Sequence, residues 1–196
     1  MVSHVTHYYK QGATPFQTLS ALPDDEALRV MEKLGDDSPL FARFKTPAAY
    51  MASRKQTEQW LCESFIAKGK TPVQTYPLYA VYGQSAWIEK YGAAFNIVSI
   101  RIPLSLFVSN DISFTYPDSM ISYEQRKQIK QQSSVTNSST MKPSSWYGQV
   151  FTMDEVKELV ASQGLPEQSW TSELSEESAP YIEAQIWNDQ ILHNLI

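Results

Sequence analysis

Near its C-terminal end the chain alternates strictly: Ile182, Ala184 and Ile186 share one parity, and Tyr181, Glu183, Gln185 and Trp187 share the other. A period of two marks a β-strand, whose successive side chains leave opposite faces, so the fold must contain a sheet with one apolar side. Ile97 to Ile102 repeats the pattern, with Val98, Ile100 and Ile102 against Ile97, Ser99 and Arg101, and Pro103 ends it. Val2 to Tyr9, Tyr76 to Tyr82 and Asp111 to Tyr116 are further β-branched and aromatic runs, closed by turn signals at Gly12, Gly83 and Pro117-Asp118.

Between these runs the spacing becomes helical. After Pro23 and Asp24, Ala27, Leu28, Met31 and Leu34 recur on one face and Gly35 stops the run. Thr46 and Pro47 open a second helix reaching Lys68 and Gly69, because proline at the first position gives up an N–H that has no partner there anyway. Ser85 can cap a short helix ending at Gly92. Thr152 and Glu155 form a capping box ahead of Val156, Leu159 and Val160. Strands and helices mixed without regular βαβ spacing predict an α+β fold with mixed or antiparallel sheets and flanking helices.

The 196 residues suit one domain, 1–196, and the polar stretch 121–147 predicts a helical first third followed by a mobile loop around 130–147. One cysteine, Cys62, excludes an intramolecular disulfide or a cysteine-based zinc site and reads as a small core residue. No apolar run approaches the 18 residues of a membrane span, and no basic leader precedes an apolar segment, so a cytoplasmic protein is expected. A net charge of −5 argues against a general nucleic-acid coat, although Arg126, Lys127, Lys130 and Lys142 leave room for a local basic patch. From Gly164 onward there is no Lys or Arg beside Glu167, Glu173, Glu176, Glu177, Glu183 and Asp189. The glutamates of 167–178 read as a solvated acidic loop.

Glu183 differs, since Glu183 and Gln185 emerge from one strand face between Tyr181 and Trp187. A carboxylate between large aromatics can be desolvated enough for hydrogen-bond or general-base work, while an edge strand would show the same residues to water. Tyr82-Gly83-Gln84-Ser85 leads from a strand into a helix, where Ser85 is either a plain cap or a polar group near an anionic ligand. His7 is a lone strand histidine. Arg54 and Glu58 stand four apart among Tyr50, Leu61 and Phe65, as a semi-buried ion pair or as a phosphate contact shared by Arg54 and Arg43.

In order, Thr6-His7-Tyr8-Tyr9, Tyr82-Gly83-Gln84-Ser85 and Tyr181-Ile182-Glu183-Ala184-Gln185-Ile186-Trp187 resemble the ADP-ribosyltransferase-like fold. The resemblance implies that NAD is the substrate, with no metal. It implies that Glu183 is catalytic and stabilises an oxocarbenium-like charge, that His7 binds the adenosine ribose, and that Tyr82 or Ser85 supports the nicotinamide. Members with Glu-x-Glu or Gln-x-Glu differ from Glu183-x-Gln185 here, so the match is to the branch with a single glutamate.

Three functions follow as expectations. One is an NAD-dependent ADP-ribosyl transferase or NAD-cleaving enzyme whose partner is a nucleotide small molecule. The second is a non-catalytic module that docks a protein partner through Trp146, Tyr147, Trp170 and Trp187. The third, a phosphoester-processing or nucleic-acid enzyme on the basic segment 126–142, lacks a phosphate-cradling Gly loop and a metal-ligand cluster.

Overall fold

The computed structural model describes residues 2–35, 43–135, 146–165 and 181–195. Five strands run in the chain as β1 (His4–Lys10), β2 (Leu78–Tyr82), β3 (Ile97–Pro103), β4 (Ile112–Thr115) and β5 (Glu183–Ile186). The helices are α1 (Asp24–Gly35), α2 (Pro47–Ala67), α3 (Ala86–Gly92), α4 (Ser119–Val135) and α5 (Met153–Gln163). The strands form one sheet in the order β3-β1-β2-β5-β4, and every neighbouring pair is antiparallel. The fold is therefore α+β, as the irregular mixture of periods predicts. Among the described residues no helix is long and apolar enough to cross a membrane.

Strand pairing fixes which side chains share a face. Thr6, Val81, Glu183 and Thr115 stand in one cross-strand row, and Tyr79, Gln185 and Ser113 in the next row on that face. The alternate residues Val5, Ala80, Tyr82, Ile102, Ile112, Phe114, Ala184 and Ile186 point the other way into the main apolar cluster. There α5 covers the sheet through Met153 and Val156. Both capping-box bonds of α5 are made, Glu155 N–H to Thr152 Oγ1 at 3.3 Å and Thr152 N–H to Glu155 Oε2 at 2.8 Å.

The polar face is covered as well. Helix α2 lies over it, with Arg54 above the Tyr79 ring at 4.6 Å and Phe65 stacked on Trp187. Helix α4 joins α2 through Trp60 stacked on Tyr123, and α1 packs Ala27 and Met31 against Tyr50 and Met51 of α2. β5 is thus an inner strand buried on both sides, not an edge strand with a face in water.

Helix α4 also runs further than the first third of 121–147, to Val135. Its sequence has little apolar periodicity. Capping by Asp118, whose Oδ1 accepts from Ile121 N–H at 3.0 Å, and the Trp60–Tyr123 contact supply the support that periodicity does not. The rest of the expected mobile loop, 136–145, lies outside the described residues, as do Trp170 and the glutamates at 167, 173, 176 and 177.

Candidate functional site

Two carboxyl groups from distant parts of the chain lie near enough, at the start of α4, for their charges to act on one another. β5 carries Glu183 into the interior with 8% of its surface exposed, and the turn after β4 delivers Asp118 with 4% exposed. Burying two carboxylates side by side opposes folding unless protons or donors compensate, so each neighbour matters. Ser119, the first residue of α4, donates its N–H to Glu183 Oε2 at 2.9 Å, placing the carboxylate at the positive end of that helix. Gln185 Nε2 donates to the same oxygen at 3.3 Å. Asp118 in turn accepts N–H bonds from the opening of α4.

These donors do not offset burial. Loss of water pushes the Glu183 carboxyl up to about 7, the Asp118 charge adds to the shift, and Ser119 and Gln185 pull against it. Asp118 is raised too, again first by burial, with the Arg43 charge and the helix N–H groups opposing. The two groups titrate as a pair that holds on to a proton near neutrality. Around them stand Tyr50, Tyr181 and the exposed side chain of Arg43, whose charge acts on both carboxyls. Tyr181 is partly exposed and its ring lies 6.5 Å from that of Trp87. Such a pair can give up or take a proton, and its anionic form can stabilise positive charge that develops beside it.

A second polar cluster adjoins the first through Tyr79. Glu58 Oε1 accepts from Ser20 Oγ at 2.8 Å, from Arg54 Nε at 2.9 Å and from the Tyr79 hydroxyl at 2.9 Å. Arg54 also donates to Ser20 Oγ, to the Tyr50 hydroxyl and to Thr18 Oγ1 at 2.9 to 3.1 Å. Tyr79 stands next to Gln185 across the strands, and its hydroxyl, raised well above its ordinary range by burial, feels the Glu183 charge.

The site residues expected from the sequence separate onto two sides of the sheet. Glu183 and Arg54 share the polar side. Arg54 bonds to Thr18, Ser20, Tyr50 and Glu58 and lies over the Tyr79 ring, the arrangement of the semi-buried ion pair named as one of its two readings. His7 points to the opposite side, with Val5 and Ile100, and both of its ring nitrogens are used, Nδ1 at 2.9 Å from the Tyr79 carbonyl and Nε2 accepting from Phe16 N–H at 3.1 Å. Tyr82 is on that apolar side too, its ring edge-on to Phe114 and its hydroxyl buried with no hydrogen-bond partner among the described residues. Ser85 caps α3 by accepting from Ile88 N–H at 3.2 Å. Strand parity sends His7 and Tyr82 to the side of the sheet away from Glu183, so the structure does not bring these residues of the resemblance together.

Asp118 is the residue that sequence reasoning missed. Tyr-Pro-Asp reads as a turn, and the available signal was the Asp-Ser start of a polar helix, which is a cap and therefore a helix N-terminus aimed at something. The docking anchors also change. Trp146 and Trp187 are 6% and 0% exposed, which leaves Tyr147 as the exposed one of the three described. Among the described residues no group of three or more His, Cys, Asp or Glu side chains is arranged to hold a metal. Comparison with family models, with curated proteins and with solved structures finds no match for this chain.

Proposed function

We propose that the chain cleaves the bond between nicotinamide and ribose in NAD and passes the ADP-ribosyl group to water or another hydroxyl-bearing acceptor. The observation that carries this reading is the buried Glu183–Asp118 pair, held by Ser119 N–H and Gln185 and bordered by Arg43, Tyr50 and Tyr181. The carbon–nitrogen bond breaks with its electron pair going to the nicotinamide nitrogen, which leaves neutral. The ribosyl carbon becomes positive, and the anionic form of the pair stabilises that charge at short range in a poorly solvated setting. The acceptor oxygen then bonds to that carbon, and its proton passes to the carboxyl pair. His7 has no part in these steps, and neither does Arg54.

Release of nicotinamide from NAD, followed chromatographically with the purified chain, tests the proposal. Wild type should turn over, and Glu183→Gln and Asp118→Asn should each lose at least about 100-fold. Because the anion is the working form, the rate should rise with pH through about 7 as Glu183 ionises. Wild type indistinguishable from a protein-free control would overturn the reading.

A further inference from the structure

Gln185 is the neighbour that touches Glu183 from its own strand, and an amide has two chemically opposite ends. Which end meets the carboxyl is decided elsewhere. Trp187 Nε1 donates to Ser113 Oγ at 2.9 Å, and an indole N–H can do nothing but donate. The Ser113 hydroxyl accepts that bond and gives its own proton to Gln185 Oε1 at 3.0 Å. That leaves the amide NH₂ facing Thr115 Oγ1 at 3.0 Å and Glu183 Oε2 at 3.3 Å. Ser113, Thr115, Gln185 and Trp187 are each 1% exposed or less, so water does not compete for these groups. The links run from the indole N–H through the Ser113 hydroxyl and the Gln185 amide to the Glu183 carboxyl.

We propose that Ser113 and Trp187 are positioning residues that act through Gln185, holding its NH₂ end toward Glu183 so that the carboxylate form gains a donor it would otherwise lack. The inference rests on the reading of Glu183 as the working acid, but its geometry does not involve substrate. Without the Ser113 donor or the indole that orients it, the amide can turn its oxygen toward Glu183. A carbonyl oxygen there repels the carboxylate and accepts from the protonated acid, so the proton is held more tightly.

The test is a carboxyl ¹³C titration of Glu183 in the full chain, with its signal assigned by its loss in Glu183→Gln. Ser113→Ala should raise the Glu183 midpoint by about half a pH unit, or threefold in the protonation equilibrium. Trp187→Phe, which keeps an aromatic ring on Phe65, should shift it the same way. The double variant should move it no further than the larger single change, since the two act in series. Ser113→Thr, which retains the hydroxyl, should restore the wild-type midpoint. An unmoved midpoint in folded Ser113→Ala, or in Trp187→Phe should the alanine variant not fold, overturns the proposal. No substrate is needed, so a shifted midpoint in a chain that leaves NAD intact would keep the relay and discard the NAD reading.

Discussion

Arg54 and Glu58 show how much of a side chain's role lies beyond its own helix. Their spacing of four makes an ion pair legible in the sequence, and the pair is present at 2.9 Å, with the Glu58 side chain only 1% exposed. Thr18, Ser20 and Tyr79 were not legible as partners, since they come from a short 3-10 turn and a strand that only tertiary folding brings to α2. Removing one charge from such a pair leaves the other buried and uncompensated. Arg54→Met should therefore cost about 3–5 kcal/mol in denaturant unfolding. Arg54→Met combined with Glu58→Leu should recover most of that loss; a double variant as unstable as the sum of both singles would contradict this account. Asp118 teaches the same lesson, because its turn was visible in Tyr-Pro-Asp while its meeting with Glu183 depends on β4 pairing with β5.

At the level of elements, periodicity and punctuation did their work where contacts are local. α1, α2, α3 and α5 start at the caps and prolines that announce them; β2, β4 and β5 fall within the runs read for them, and β1 and β3 each run one residue past theirs, to Lys10 and Pro103. The interior position of β5 was not legible, because a period of two reports two faces but not what covers them. His7 shows an element held by a contact that the sequence hides. Its neutral ring fastens the loop after β1 through Phe16, a residue in the left-handed region at φ 59°. Burial lowers the His7 pKa below its ordinary value. The unfolded chain therefore takes up the proton first as pH falls, so this contribution to stability is present above about 6.5 and declines below it. Between pH 7 and pH 5 wild type should lose about 1 kcal/mol more than His7→Asn, measured by urea unfolding. Equal losses in the two proteins would show that the ring does not titrate against Phe16. Thr152→Ala, which removes one half of the α5 capping box, should cost about 1 kcal/mol in the same measurement, independently of pH over this range.

For the molecule as a whole, the sheet divides the labour. One side is an apolar core around Phe114 and Ala184, and the other is a polar band running from Arg54 through Tyr79 to Glu183 and Asp118. Folding alone gains little from a buried acid pair, and apolar replacements of similar shape often stabilise such positions. The chemistry proposed for Glu183 comes at the expense of stability, and global unfolding reads this cost directly. Its carboxyl is raised to about 7 in the fold, so the folded state holds a proton that the unfolded chain releases earlier. Stability from this group is therefore full at low pH and declines as pH rises through about 7. Glu183→Gln keeps an acceptor for Ser119 N–H and carries no charge. Unfolding free energies of wild type and Glu183→Gln at pH 8 and pH 5 are the decisive comparison. The glutamine variant should be the more stable by about 1–3 kcal/mol at pH 8, with the advantage fading at pH 5. A glutamine variant less stable than wild type at pH 8 would make the charge a requirement of the fold and contradict the account.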